Sequence, residues 1–176
     1  MLYTSRRVYR AKAPLQVLIG FSPTEPLKLA VTATPKLAEA ILSGMAIAKD
    51  TNGQWVKALD ADATIAKKSI FIALQDQDDL AVQSSGKLVG LDCSDSYEVQ
   101  TGYFKTLSSG AYAYDDQLSV GTGGVFAKAA SGDYVRAKIT LAGAETNGTI
   151  NIGGVTPCAT DNTVIQMKTV APYIMA

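Results

Sequence analysis

The chain contains no histidine. That absence removes the commonest general base and the commonest metal ligand. Neither a Ser-His-Asp triad nor a Cys-His pair can be built. Cysteine is scarce as well: Cys93 and Cys158 are the only two. They lie too far apart in sequence for a CxxC, and without histidine they cannot complete a zinc ligand set. Free structural thiols are the expected state, with a disulfide as the alternative. The basic residues nearest Cys93 in sequence are Lys87 and Lys105, so nothing local favours an activated thiolate. Charge of one sign is not in excess either. Sixteen basic and sixteen acidic residues give a formal net charge of zero. No global electrostatic case exists for nucleic acid or an anionic membrane as partner. No apolar run approaches a membrane span. The run Val17 to Phe21 is too short for a secretory signal and is bracketed by prolines. The expectations are no enzyme, no cofactor, no metal, no direct nucleic acid and no membrane, with synthesis in a cytoplasm.

What is present is a chain of 176 residues, 47% hydrophobic and 18% charged, enough for one folded domain with a real core. Its charge is unevenly spread. Residues 1–41 carry Arg6, Arg7, Arg10, Lys12, Lys28 and Lys36 against Glu25 and Glu39, a net +4 that leaves −4 for the remainder. Pro14, Pro23, Pro26 and Pro35 punctuate the same part. Prolines at that density disfavour regular helix and central strand, because each removes an N–H and restrains its predecessor. Residues 1–41 therefore read as an extended, irregular N-terminal arm, and residues 42–176 as a β body. Thr34-Pro35 could open a short helix through Leu42. The competing reading, favoured by a repeat described below, starts a strand at Glu39 to Leu42.

From Met45 onward the pattern is β. Strands are expected at Met45 to Ala48 and Gln54 to Leu59, joined by an Asp50-Thr51-Asn52-Gly53 turn. Asp60 to Asp62 reads as a further turn. Ser69 to Leu74 (SIFIAL) reads as an apolar strand, and Gln75 to Asp79 as a polar connection. Leu80 to Gln83 and Lys87 to Leu91 read as a hairpin about Ser84-Ser85-Gly86. Tyr97, Val99, Thr101 and Tyr103 alternate with Glu98 and Gln100, the period of a half-buried strand. Gly110 to Ile139 alternates strand-forming clusters with turns at Gly121-Thr122-Gly123-Gly124 and Ser131-Gly132-Asp133. Thr149 to Ile152 is a short strand, and Thr163 to Met167 and Val170 to Met175 supply the last ones, with Pro172 placing the final strand at an edge. A faint echo links Leu42-Ser43, Gly53 and Lys57-Ala58 to Leu118-Ser119, Gly124 and Lys128-Ala129, as two copies of a hairpin unit. The fold expected is mainly β, a compact β-barrel or β-sandwich body behind the arm.

Candidate chemistry is thin. Asp76, Asp78 and Asp79 suggest a calcium loop, but an EF-hand starting at Asp76 would need glycine and glutamate where Ala81 and Lys87 stand. Asp115-Asp116 reads as turn chemistry rather than a catalytic pair. Gly121 to Gly124 resembles a phosphate loop only loosely, since Lys128 is misplaced and no helix follows. Asn147-Gly148-Thr149 matches a glycosylation sequon without a secretion route. Trp55 is either a core anchor or an interface hot spot.

Three segments together carry a resemblance. They are Gly53-Gln54-Trp55-Val56-Lys57-Ala58, Ser85-Gly86-Lys87 after an acidic stretch, and the glycine-hairpin segment from Tyr112 to Val135. Residues 42–140, which contain them, resemble the head decoration, or cement, proteins of tailed bacteriophages. The resemblance implies a structural virion protein on the capsid exterior. It would bind the major capsid protein at junctions between capsomers, stabilise the shell, and assemble as a homo-oligomer, trimer or dimer. Coat-protein contacts are then expected from Arg6, Arg7, Tyr9, Arg10 and Lys12 of the arm, and candidate interface positions are Trp55, Tyr112, Tyr114 and Thr122. The alternatives are another virion structural role (tail-tube, head-completion or minor coat protein) or a carbohydrate-binding β module.

Overall fold

The computed structural model describes residues 9–10, 16–18, 33–59, 69–94, 96–105, 107, 111–141, 145–146 and 163–176. Over these residues the protein is mainly β, with two antiparallel sheets and one six-residue helix. The strands are β1 (Tyr9–Arg10), β2 (Gln16–Leu18), β3 (Ala46–Lys49), β4 (Trp55–Lys57), β5 (Phe71–Ala73), β6 (Gly90–Asp92) and β7 (Glu98–Thr101). They continue as β8 (Gln117–Gly121), β9 (Val125–Lys128), β10 (Tyr134–Ile139), β11 (Glu145–Thr146) and β12 (Thr163–Ile174). The helix, α1 (Leu80–Ser85), lies between β5 and β6. The larger sheet has the order β1-β2-β7-β12-β10-β8-β9, with β11 paired to β12, and the smaller has the order β4-β3-β5-β6.

The sheets face each other across one core. Ala46, Ala48, Val56, Ile72 and Leu91 come from the smaller sheet; Val99, Leu118, Val120, Phe126, Ile139, Ile165 and Met167 come from the larger. Of the two architectures expected, this is the sandwich. The smaller sheet is buried on its other face too. There Ile47, Trp55, Phe71 and Ala73 pack with Ala33, Ile41, Val82 and Leu88. This explains why SIFIAL is apolar at every position: Ile70, Ile72 and Leu74 serve one core, and Phe71 and Ala73 the other. The outer face of the larger sheet is polar. Gln166 donates from Nε2 to Glu98 Oε1 at 2.6 Å and accepts from Gln100 Nε2 at 3.1 Å. Gln100 is nonetheless buried, so the alternation expected along β7 does not divide inside from outside there.

The suspected repeat has a counterpart in register. Ile47 pairs with Lys57 in the β3–β4 hairpin, and Leu118 with Lys128 in the β8–β9 hairpin. The Gly53 N–H donates to Asp50 O at 3.2 Å, and the Gly124 N–H to Gly121 O at 3.3 Å. Both glycines are left-handed, with φ of 75° and 73°. In each unit the next strand returns to the first, β5 to β3 and β10 to β8. The counterpart of Leu118 in the first unit is thus Ile47, not Leu42. The units also present opposite faces to the shared core, since Trp55 points away from it and its counterpart Phe126 points in.

Three expectations are corrected. Leu80 to Ser85 is a helix, not half of a hairpin. The Asp79 carboxylate accepts the Ala81 N–H at 3.0 Å as N-cap, and left-handed Gly86 closes the C-terminus through its N–H to Val82 O at 2.7 Å. The aspartate and glycine that look like hairpin turns are helix caps. Second, the last strands are one continuous β12 in the middle of the sheet, between β7 and β10. Pro172 is accommodated because the register shifts there: Val135 pairs with Tyr173 and Ala137 with Thr169, so a bulge holds the proline where no ladder N–H is needed. Third, residues 33–41 belong with the body. Ala33 and Leu88 exchange backbone hydrogen bonds of 3.1 and 2.8 Å, and Ile41 is buried. Neither the helix nor the strand expected at residues 36–42 forms; turns do. Pro35 lies beside the edge strand β4, where Trp55 N–H donates to Thr34 O and Lys36 N–H to Trp55 O. The proline nitrogen therefore needs no proton, and the segment covers an otherwise open edge.

Within the arm, β1 pairs with β2 and β2 pairs with β7, which extends the larger sheet. Arg6, Arg7 and Lys12 lie outside the described residues, as do the Asp60 to Asp62 turn, the Asn147 sequon, Thr149 to Ile152 and Cys158.

Candidate functional site

No group of three or more His, Cys, Asp or Glu side chains converges among the described residues. The aspartates act as scaffolding. Asp50 accepts the N–H groups of Asn52 and Gln54 at 2.8 and 2.9 Å, shaping the β3–β4 turn. Asp76 accepts the Ser43 N–H at 2.7 Å, Asp92 that of Ser94 at 2.9 Å, and Asp133 that of Ala130 at 2.9 Å. Ala81 lies inside α1, so the aspartates before it do not form a calcium loop. Asp115 and Asp116 each have a separate cation. Asp115, left-handed at φ 66°, pairs with Lys138 at 3.1 Å, and Asp116 pairs with Lys128 at 2.7 Å.

Asp116 titrates below the usual aspartate range. Burial alone would raise its pKa, but the Lys128 ammonium and the Ala113 N–H together outweigh that. A depressed folded-state pKa contributes stability above the unfolded pKa, and that contribution is lost as pH falls through the folded value. Asp116→Asn is therefore expected to destabilise the protein near neutral pH. Its deficit against the parent in urea melts should shrink in the acid range below pH about 4. A deficit unchanged by acid would contradict this role.

The structure separates the interface candidates. Trp55 takes the core alternative. It is fully buried, donates from Nε1 to Leu88 O at 2.8 Å, and meets Phe71 edge-on at 4.9 Å between centroids. Tyr112 is also buried, its hydroxyl donating to Lys105 O at 2.6 Å, and burial together with the Asp116 charge raises its pKa. Both side chains are used inside the chain and offer no surface. Tyr114 is 73% exposed and Thr122 is exposed, so both are available to a partner. Of the arm candidates, Tyr9 and Arg10 form β1, at the end of the larger sheet. The Gly121–Gly124 turn is partly committed within the chain, because Gly124 O accepts the Ala46 N–H at 2.8 Å and ties β9 to β3.

A groove of about 680 Å³ lies between residues 34–42 and α1. Its walls include Pro35, Leu37, Ile41, Leu42 and Val82, with Gln77 and Asp78 as polar members. Leu37 is 89% exposed, and Leu80 on α1 is 82% exposed. Between Leu37 and Ile41 the chain bends sharply, with Glu39 N–H donating to Lys36 O and Ile41 N–H to Glu39 O, each at 3.1 Å. Ala38 is left-handed at φ 93°, a conformation that strains a non-glycine residue. Sequence reasoning missed this groove because it placed Leu37 in an arm and Leu80 in a strand. The signal present was an unusual pair of leucines beside proline and aspartate.

Among the described residues no helix is long and apolar enough to cross a membrane. No family model, curated protein or solved structure matches the chain.

Proposed function

We propose that this protein is a structural component of a bacteriophage virion. It binds the outer surface of the capsid at junctions between coat-protein capsomers and stabilises the shell. The observation that carries this reading is the use made of the polar side chains. Six aspartates (Asp50, Asp76, Asp79, Asp92, Asp116 and Asp133) accept backbone N–H groups and shape turns and caps. A chain that spends its carboxylates in this way supports a binding role better than a catalytic one. The resemblance of residues 42–140 to decoration proteins supplies the partner, the major capsid protein. Avidity over a symmetric shell would make many modest contacts sufficient.

The basic arm is the proposed electrostatic contact. Co-sedimentation with purified capsid shells is expected to weaken as salt rises, because exposed ion pairs between Arg6, Arg7, Arg10 or Lys12 and an acidic coat surface are screened. Binding that ignores salt would remove the arm from the contact, and no binding at any salt would overturn the reading.

A carbohydrate-binding module is the second reading. One observation favours it: exposed Tyr114 directly precedes Asp115, which pairs with Lys138, so an exposed aromatic stands next in the chain to a charged pair. Binding on a glycan array without shell binding would favour it over the first.

A further inference from the structure

Asn52 and Gly53 stand at the exposed tip of the β3–β4 hairpin. The turn beneath them is held through Asp50. Its N–H donates to Gln54 O at 2.9 Å, and its Oδ1 accepts the N–H groups of Asn52 and Gln54 at 2.8 and 2.9 Å. Gly53 N–H donates to Asp50 O at 3.2 Å, the longest bond of the set. The Gly53 nitrogen is therefore the least tightly held donor of the turn. Gly53 is left-handed at φ 75°, and nothing lies within 4 Å of where a Cβ would stand. Once its one bond opens, the backbone there moves without meeting an obstacle.

We propose that Asn52 is a modification site, converted without an enzyme to isoaspartate and aspartate through a cyclic imide. The Gly53 backbone nitrogen forms a bond to Asn52 Cγ and gives up its proton. The Asn52 side-chain nitrogen leaves as ammonia, which closes a five-membered ring. Water then opens that ring. Attack at Cγ breaks the bond from Cγ to the Gly53 nitrogen and leaves aspartate. Attack at the Asn52 main-chain carbonyl carbon breaks the original peptide bond and leaves isoaspartate, whose main chain runs through Cβ and Cγ. One water is consumed, one ammonia is released and nothing is oxidised or reduced.

The product disturbs the turn that made it. A new carboxylate appears beside Asp50, and like charges at that distance repel. Isoaspartate also adds a methylene to the main chain between positions that Asp50 holds in register. Trp55 follows directly after Gln54, opposite Lys49, so the entry to β4 loosens. The β8–β9 hairpin escapes, because Gly123 stands where the first hairpin has Asn52 and carries no amide. None of this depends on the capsid reading.

Peptide mapping by mass spectrometry, after incubating the folded full chain for weeks at mildly alkaline pH, provides the test. The peptide containing Asn52 is expected to gain the mass of the exchange of ammonia for water, faster as pH rises, with isoaspartate among the products. Asn52→Gln should react at least about tenfold more slowly at that position, because the ring it must close is larger and less well placed. The aged parent should melt a few degrees lower than fresh protein, and aged Asn52→Gln should not. Fresh Asn52→Asp, which adds the charge without lengthening the chain, should fall between. An intact Asn52 after incubation, or aspartate formed without isoaspartate, overturns the site and its route. A melt indifferent to the modification overturns its effect on the hairpin.

Discussion

Gly124→Ala should destabilise the protein by about 2–5 kcal/mol, whereas Gly53→Ala at the matching position of the first hairpin should cost only about 1–2 kcal/mol. Both glycines are left-handed, so both substitutions incur the backbone penalty of a Cβ at positive φ. The two differ in what that Cβ would meet. At Gly53 nothing lies within 4 Å. At Gly124 the new atom would lie 2.5 Å from Ala46 O, a backbone atom of β3 that cannot swing away like a side chain. Relief requires the turn and β3 to separate, which breaks the 2.8 Å bond from Ala46 N–H to Gly124 O and strands both groups between the sheets. Urea denaturation of the two variants checks this. Equal costs at the two glycines would mean that the turn does not dock on β3 as described.

The second large effect is expected at Trp55. Trp55→Ala should cost about 3–5 kcal/mol, the range for an aromatic removed from a packed core. Trp55 is among the largest fully buried side chains, and its ring fills the space under residues 33–36. The substitution also leaves Leu88 O without the Nε1 donor. Trp55→Phe should cost less, since it keeps most of the apolar volume and loses chiefly the 2.8 Å bond. The loss should extend to the groove, because Thr34 and Pro35 both line it and bridge to the Trp55 backbone. Differential scanning calorimetry measures the first part, and hydrogen exchange at Lys36, whose N–H donates to Trp55 O, measures the second. A near-neutral Trp55→Ala would contradict the second core.

These two residues show what sequence reasoning could reach. Glycine turns between β-rich runs were legible at Gly53 and Gly124, because positive φ has few other solutions. What the Gly124 turn touches was not, since its contact with Ala46 joins residues distant in the chain. The identity of Trp55 marked a large buried area but not whether that area lay inside or between chains. The error at Leu80 to Ser85 has a different cause. A six-residue helix is under two turns long, too short for a 3.6-residue period to appear, and Asp79 and Gly86 serve as caps or as turn residues equally well. Pro172 was read as an edge marker because sequence shows the missing N–H but not a bulge across from it. The groove was hidden for the same reason as the second core: both depend on residues 33–41 folding back onto β4, which the proline pattern alone reads as an arm.

The proposed role, a protein that braces a capsid from outside, is tested most directly by cryo-electron microscopy of the source particle. The expected result is density for the two-sheet body on the shell exterior at capsomer junctions, with the basic arm against coat subunits. A fully reconstructed shell without that density, or the protein found inside the head or in the tail, would contradict it.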